Sequence, residues 1–335
     1  RVCPMPAALL GVALADDFPL IGCCAVQCNT TCDGSLMGNG IEARSFKIPT
    51  FQLAVPIRHR QESVQEYAAE EVVNAIHFIE EQTGEKFDWD AFFKSMKRFN
   101  AETEEFLEWM EISKTDYPQV MGVTLALYRY GVYQAAGGRN QAFLDMDKKL
   151  TKMALDAYKS KEMAAKEYRH RAMTWGVQAA YYTALPIWLL NCWGVVTIAD
   201  MLSMVSTEMV NTEDKHQAML DLAYLYENMI MRNRSNGGYE TGVEALWRFC
   251  EMFNIDIVIM YVHMGCKSMS GYHGLFEEEA RKHGIHLIWV THNLMCPEDG
   301  TRRDMRTEIN RYMRTVFREE PLDPSLEDFD DSKSW

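Results

Sequence analysis

Residues 257–266 read IVIMYVHMGC, an apolar run that is followed by a histidine, a glycine and a cysteine. Ile257 to Val262 is the clearest predicted β-strand of the chain, because the run is apolar and has the length of a buried strand. Longer stretches of helical period separate such runs, and this alternation predicts parallel sheets covered by helices. Further runs of this kind lie at Leu20 to Ala25, Thr50 to Val55, Val195 to Ile198 and Leu287 to Val290.

The segment between Glu62 and Met163 has a different pattern, because its apolar residues recur every three to five positions. This spacing is typical of helices with one apolar face. Gly84 is interpreted as a helix stop and Asp88 as the N-cap of the next helix. Gly137-Gly138 is expected to break the helical pattern near its end.

We predict an α/β fold of two Rossmann-like (flavodoxin-like) lobes with parallel sheets, joined by a helical region. A last helix is expected from Thr301 to Phe317, with acidic residues near its start, where the helix dipole favours them. The chain begins at Arg1, and Cys3 already lies in what resembles mid-domain sequence, so we expect part of the natural N-terminus to be absent. The predicted boundaries are 1–60 for a partial N-terminal α/β lobe, 61–167 for the helical region, 168–320 for the C-terminal α/β lobe and 321–335 for an acidic tail.

The composition narrows the classes of function. The chain has 335 residues and a formal net charge of −14, and this acidic surplus repels phosphate backbones, so we expect no nucleic-acid partner. We also expect no membrane span and a cytoplasmic location, because the chain has no long apolar stretch and no secretory signal. The nine cysteines are odd in number and scattered, which favours reduced thiols over a disulfide framework.

Three cysteines are placed where predicted strands pass into loops: Cys3 in RVCPMPAALLG, Cys32 in TTCDG and Cys266 in YVHMGC. Ligands of open α/β sheets collect at the carboxyl ends of strands, so these thiols are candidate metal ligands. The alternative is that each is a buried packing residue, as cysteine often is. Four other cysteines are interpreted as packing residues, namely Cys23, Cys24, Cys192 and Cys250.

The spacing of the cysteines bears on which metal they would bind. Structural zinc sites typically contain close C-x-x-C pairs, and none occurs in this sequence. Soft thiolates from distant loops suit an iron–sulfur cluster better, and three of them leave one iron open for a substrate or a non-protein ligand.

The segments AAGGRN at 135–140 and SNGGYETG at 235–242 match no nucleotide-binding motif and are interpreted as turns or helix caps. If ATP is required, another polypeptide must bind it.

His263 lies three residues before Cys266 and is the candidate catalytic residue. If the chain turns at Gly265, the imidazole faces a pocket, where it donates a hydrogen bond or a proton to a substrate. If the strand continues, the ring packs against a helix and has no chemical role. Both arrangements are compatible with the sequence.

The segments around these cysteines resemble the family of 2-hydroxyacyl-CoA dehydratase and class I benzoyl-CoA reductase subunits over nearly the whole chain. Each segment alone is a weak signal, but their order and spacing together are specific. The matching segments are CPMPAALLG, CNTTCDG followed by KIPTFQLAVPIR, YAAEEVVNAIHFIEEQTGEKFDWDAFF, DIVIMYVHMGCKSMSGYHGLFEEEARKHGIHLIWVTHN and TRRDMRTEINRYM.

The resemblance implies one [4Fe-4S] cluster held by Cys3, Cys32 and Cys266. It also implies a homologous second iron–sulfur subunit and separate ATPase or activator subunits that carry another [4Fe-4S] cluster. The RRDMRTEINRYM helix and the tail REEPLDPSLEDFDDSKSW are more similar to the benzoyl-CoA reductase branch, whose reaction is ATP-dependent one-electron reduction of an aromatic acyl-CoA thioester. The alternatives are radical dehydration of a 2-hydroxyacyl-CoA to an enoyl-CoA and a non-catalytic electron-transfer subunit.

Overall fold

A computed structural model of the chain places its residues in two compact units, each assembled from separate stretches of the sequence. The residues that the structure describes are 3–15, 22–28, 33–54, 62–119, 140–163, 167–202, 208–228 and 239–328. The first unit falls within Arg1–Thr103, Gly137–Leu144 and Val205–Gly242, and the second within Glu104–Ala136, Asp145–Met204 and Val243–Trp335.

The described residues contain both helices and strands, which alternate along much of the chain. The helices are α1 (Pro4–Leu14), α2 (Asp33–Phe46), α3 (Glu62–Thr83), α4 (Trp89–Ser113), α5 (Gln141–Lys159), α6 (Leu185–Trp193), α7 (Lys215–Glu227), α8 (Tyr239–Met252), α9 (Lys267–Gly271), α10 (His273–His283) and α11 (Arg302–Tyr312). The strands are β1 (Ala25–Cys28), β2 (Thr50–Leu53), β3 (His170–Trp175), β4 (Val195–Asp200), β5 (Ile257–His263) and β6 (His286–His292). None of these helices is both long and apolar enough to cross a membrane.

The second unit is built on a parallel sheet of four strands in the order β4-β3-β5-β6. The strands predicted at Val195, Ile257 and Leu287 are confirmed, and each is slightly longer than predicted. Every residue of β5 except Val262 is buried, as is typical of a strand whose sheet is covered on both faces. The predicted α/β class with parallel sheets is therefore confirmed.

Strand β3 is missing from the sequence prediction, because its letters HRAMTW mix polar and apolar residues. The structure nevertheless buries this strand in the sheet. Arg171 is buried and donates hydrogen bonds to the backbone carbonyls of Ser113, Thr115 and Phe253. A buried guanidinium is tolerated when its donors are engaged in this way, so a hydrophobic pattern alone fails to detect the strand.

One face of this sheet packs against α6 and α11 to form a large apolar core. Leu189 and Trp193 of α6 and Ile309 of α11 are fully buried there against Ile259 of β5. Each of these side chains, once removed from water, contributes roughly 1.5–3 kcal/mol to stability. The core therefore holds the strands whose carboxyl ends carry the candidate site.

The last predicted helix, Thr301 to Phe317, is confirmed in its start and modified in its end. Thr301 and Asp304 form a capping box, in which each side chain accepts a hydrogen bond from the backbone N–H of the other. The α-helix ends at Tyr312, and a π-helical turn, Met313–Phe317, follows it.

The acidic C-terminal segment packs on the second unit as far as it is described. The backbone N–H of Leu322 donates to the Cys192 carbonyl at 2.7 Å, and Trp188 Nε1 donates to the Leu326 carbonyl at 2.7 Å. Arg314 forms two hydrogen bonds with the carboxylate of Glu327, at 2.6 and 2.7 Å. A bidentate pair of this kind fixes geometry as well as charge.

The first unit contains a two-stranded parallel sheet, in which Ala25 to Cys28 of β1 pair with Thr50 to Leu53 of β2. The strand predicted at Leu20 to Ala25 is wrong over Gly22 to Cys24, and its first two residues, Leu20 and Ile21, lie outside the described residues. Val55, the last residue of the strand predicted at Thr50 to Val55, also lies outside them. The ladder starts where the Ala25 N–H donates to the Pro49 carbonyl at 2.9 Å. In a parallel ladder, residue 49 would donate the next N–H to the chain before Ala25. Pro49 has no N–H, so pairing begins only at Ala25.

The helical pattern between Glu62 and Met163 is confirmed where it is described. Helix α3 ends at Thr83, and Gly84 follows with φ of 76°, a conformation that suits glycine. Asp88 caps α4, since its Oδ1 accepts the Ala91 N–H at 2.9 Å. The predicted break at Gly137-Gly138 lies outside the described residues.

His170 at the start of β3 bridges two carboxylates, and the strength of this bridge depends on pH. Its Nδ1 lies 2.9 Å from Asp256 Oδ2 and its Nε2 lies 3.0 Å from Glu319 Oε1. Burial lowers the pKa of His170, but the hydrogen bonds and charges of the two carboxylates outweigh burial and raise the pKa above its ordinary value. The bridge therefore stabilises the fold fully below pH 6.5, and this stabilisation is lost as pH rises through the raised pKa.

We expect His170→Gln to lower the free energy of unfolding by about 1–2 kcal/mol at pH 6 and by clearly less at pH 9. Urea unfolding at both pH values measures the difference. The control is His77→Gln, because His77 contacts Glu80 on the exposed surface of α3. A cost at His170 that is the same at both pH values would contradict the bridge.

Candidate functional site

Cys266 lies just beyond the carboxyl end of β5, the strand that the sequence predicts most clearly. The strand ends at His263, and a turn over Met264 and Gly265 returns the chain so that the Cys266 N–H donates to the His263 carbonyl at 2.8 Å. Cys266 is half-buried and is the residue immediately before α9. Its thiol thus occupies the position in which ligands collect in parallel sheets.

Cys3, in the first unit, likewise comes directly before a helix. It is the N-cap of α1, it is half-buried, and it forms no disulfide. Cys32 lies outside the described residues, but α2 begins at the next residue, Asp33. Each of the two predicted ligands that the structure describes, Cys3 and Cys266, therefore comes directly before the first residue of a helix.

The start of a helix suits a thiolate ligand. Backbone N–H groups there lack intrahelical acceptors, and the helix dipole favours negative charge. Both effects favour an anionic metal ligand, such as a thiolate, at this position. Among the described residues, no three cysteine, histidine or carboxylate side chains already form a metal site. Cys3 belongs to the first unit and Cys266 to the second, so their convergence stays a prediction.

The other cysteines have different surroundings. Cys192 and Cys250 are buried in the second unit, and burial raises the pKa of each thiol to about 12. They are neutral packing residues, as predicted. The same prediction is wrong for Cys23, which is exposed, while Cys24 is half-buried with its sulfur 4.0 Å from that of Cys23. Strand β1 begins only after this pair, so its two thiols are not carried into the sheet.

His263 is the last residue of β5 and is 7% exposed. Its Nδ1 lies 3.3 Å from the Leu294 nitrogen and 3.4 Å from the His292 carbonyl oxygen, so it accepts the Leu294 N–H in one neutral tautomer and donates to that carbonyl in the other. Burial lowers the pKa of His263, against a smaller upward effect of the His292 backbone, which keeps the ring neutral at pH 7. Its Nε2 has no hydrogen-bond partner in the described part of the chain. The strand reaches His263 and the turn follows it, so the ring lies at the point where the strand gives way to the loop that carries Cys266.

Two further polar side chains lie beside His263 and were not singled out in the sequence analysis. His292 ends β6 and is directly opposite His263 in the ladder, with the two ring centroids 6.1 Å apart. Tyr261 is two residues before His263 on the same face of β5, and its ring meets that of His292 edge to face at 5.7 Å. The only sequence signal for this group was the alternation of Tyr261 and His263 along one strand. That His292 lies beside them could be known only from the register in which β5 pairs with β6.

These two side chains are almost completely buried, His292 at 0% and Tyr261 at 1% exposure. Burial lowers the pKa of His292 to about 4, the Asn293 and Val177 backbones oppose that effect, and His263 adds to it. Burial also raises the pKa of Tyr261 above its ordinary value. At pH 7 the pair is therefore uncharged.

The polar atoms of this group lack partners. Tyr261 Oη and His263 Nε2 make no hydrogen bond within the described residues. The His292 ring lies beside the backbones of Asn293 and Val177, but neither of its nitrogens makes a hydrogen bond of acceptable geometry with them or with any other described residue. A buried polar atom without a partner costs about 1–3 kcal/mol, so such atoms in a native protein typically bind water or a ligand. Three side chains with unpartnered atoms lie side by side at the carboxyl ends of β5 and β6, which makes this group a candidate ligand site.

Comparison with known proteins places the chain in a family. The family described as 2-hydroxyglutaryl-CoA dehydratase, D-component, matches residues 1–312. The match spans both units and includes all three candidate cysteine ligands and His263. No curated protein matches the chain.

Proposed function

The chain belongs to the 2-hydroxyglutaryl-CoA dehydratase D-component family, and from this membership we propose that it is the iron–sulfur subunit of an ATP-dependent benzoyl-CoA reductase. The family is one of enzyme components, and its reductase and dehydratase branches share one hard step, the transfer of one electron to a thioester carbonyl. The choice of the reductase branch rests on the similarity of α11 and of the acidic C-terminal segment.

The observation that carries this proposal is the placement of Cys3 and Cys266 directly before helices, and Cys32 is the third ligand that the family resemblance implies. The three thiols would hold a [4Fe-4S] cluster, which supplies the low-potential electron that no protein side chain provides. Cysteine sulfur is the donor that such clusters require, and three donors leave one iron open. The donor set therefore fits the cluster.

The chain's own residues have three tasks in this proposal. The cysteines would bind the cluster, and the apolar core that packs on β5 and β6 would hold the strand that carries His263 in place. His263 is the proposed catalytic residue, because its Nε2 has no partner among the described residues and the residue lies three positions before Cys266. We assign it the hydrogen bond to the thioester oxygen, on which negative charge develops.

The partners follow from the same family. We propose a homologous second iron–sulfur subunit and separate ATPase or activator subunits that carry another [4Fe-4S] cluster, with benzoyl-CoA as the acyl-CoA substrate. The surface charge of this chain, −14 overall, would steer such partners through charge complementarity.

Product analysis of the anaerobically purified complex tests the function. With benzoyl-CoA, ATP and a reductant, the reductase forms a cyclic diene. The second candidate function is radical dehydration, the reaction named in the family description, which would instead form an enoyl-CoA from a 2-hydroxyacyl-CoA. The third alternative, a non-catalytic electron-transfer subunit, would instead carry a cluster whose four irons are all bound by protein ligands, with no pocket that reaches it. Iron and sulfide analysis with electron paramagnetic resonance reports the cluster independently.

We expect His263→Gln to lower kcat by about 10²-fold or more, because the donor to the thioester oxygen is displaced. Turnover and iron content are measured on the same preparation. The control is His283→Gln, at the end of α10, where the ring stacks on Trp247 away from β5. Less than a fivefold loss of turnover at unchanged iron content would remove His263 from the mechanism.

A further inference from the structure

Tyr261, His263 and His292 share one face of the second unit's sheet, and the loops that follow β5 and β6 begin beside them. The register pairs His263 with His292, and Tyr261 stands two residues away on the same strand. All three are more than nine-tenths buried, and each has at least one polar atom without a partner among the described residues. Their ring centroids lie 5.7 Å (Tyr261 to His292) and 6.1 Å (His263 to His292) apart. Such spacings leave polar edges near one another without direct hydrogen bonds.

The chemistry of these atoms defines what could bind them. A neutral His292 offers one donor and one acceptor, the Tyr261 hydroxyl offers both, and His263 Nε2 is a donor or an acceptor according to the tautomer of the ring. An anion would require donors alone and a cation acceptors alone. A small neutral molecule that both donates and accepts hydrogen bonds matches the mixed set, and buried water typically makes about three such bonds.

We propose that Tyr261, His263 and His292 enclose a binding site for a small neutral hydrogen-bonding molecule, and that in the resting protein this molecule is ordered water. The site lies behind the turn that carries Cys266, since the Cys266 N–H bonds the His263 carbonyl. The bound water engages His263 Nε2 until substrate arrives, and the thioester oxygen then replaces it. This last consequence rests on the proposed function, whereas the existence of the site does not.

Tyr261→Phe tests the site without reference to activity. The substitution keeps the ring and its edge-to-face contact with His292 and removes only the hydroxyl. If the hydroxyl were truly unpartnered, phenylalanine would relieve a buried polar group and raise the Tm. If the hydroxyl binds water, the Tm of the full chain should fall by about 2 °C or more.

The matched control is Tyr312→Phe. Tyr312 Oη lies 3.1 Å from His286 Nδ1 at the amino end of β6, so this variant calibrates the loss of one ordinary hydrogen bond in the same unit. We expect the fall at Tyr261 to be at least as large as that at Tyr312. An unchanged or raised Tm for Tyr261→Phe would overturn the site.

A high-resolution structure of the anaerobically purified protein gives a second, direct measurement. We expect an ordered water within about 3 Å of Tyr261 Oη in the wild type and its loss in Tyr261→Phe. Absence of that water from the wild type would also overturn the proposal. Because neither measurement involves substrate, a failure of the product assay with both results positive would reject the proposed function and leave the site intact.

Discussion

Cys266→Ala is expected to reduce the iron of the purified complex to background and to lower turnover by far more than about 100-fold. The reason is that alteration of groups that merely support metal ligands already costs about 10–100-fold, and this substitution removes a proposed ligand itself. Iron and sulfide are measured together with the electron paramagnetic resonance signal of the dithionite-reduced protein. The fold should survive, because Cys266 is half-buried at a turn rather than in the core.

Cys250→Ala is the matched control for this prediction. Cys250 is 3% exposed in α8, and burial raises the pKa of its thiol to about 12, so it is a neutral packing residue. Its replacement should lower stability modestly and leave iron and turnover intact. Full iron in Cys266→Ala, or loss of iron in Cys250→Ala, would contradict the assignment of ligands.

The sequence predicts the second unit's sheet well where strands are continuously apolar. Strands β4 and β5 are buried at nearly every residue, and β6 is buried at Leu287, Ile288, Val290 and His292, so their apolar runs are visible without any tertiary information. Strand β3 escapes detection because the buried Arg171 depends on carbonyl acceptors in residues far away in sequence. A hydrophobic pattern does not contain the positions of those acceptors.

The start of β1 shows a second limit of sequence patterns. An apolar run indicates burial, but the residue at which pairing begins depends on the neighbouring strand. Here Pro49 precedes β2, and the ladder starts at its carbonyl rather than at the apolar residues before Ala25. The predicted strand is therefore displaced toward the N-terminus.

Part of the candidate site could likewise be predicted from the sequence, and part of it required the structure. Cys266 and His263 could be proposed from sequence because both follow one clear strand, and the family match includes them. His292 is separated from His263 by 29 residues, and only the parallel register of β5 and β6 places them side by side. Tyr261 is likewise recognised as part of the site only because its ring packs against that of His292. Sequence thus identifies single groups at strand ends, while the pairing of strands decides which of them form one site.

Gly176→Ala is expected to destabilise the second unit by about 3 kcal/mol or more, through two separate effects. Gly176 follows β3 with φ of 104°, which an alanine adopts only with strain. A Cβ on Gly176 would also lie 2.3 Å from the backbone oxygen of Tyr261 on the adjacent β5. That oxygen belongs to the central part of the sheet, so it cannot retreat without shifting the strand that carries His263.

Gly84→Ala separates these two effects. Gly84 has φ of 76° at the end of α3, but no atom lies within 4 Å of an added Cβ. It should therefore show only the conformational cost, about 1 kcal/mol. Urea unfolding of both variants measures the difference, and turnover at matched folded fraction should fall only for Gly176→Ala, because displacement of Tyr261 disturbs the group beside His263. Equal costs at the two glycines would show that the close approach of Gly176 to β5 places no constraint on the sheet, and so none on the site at the carboxyl ends of its strands.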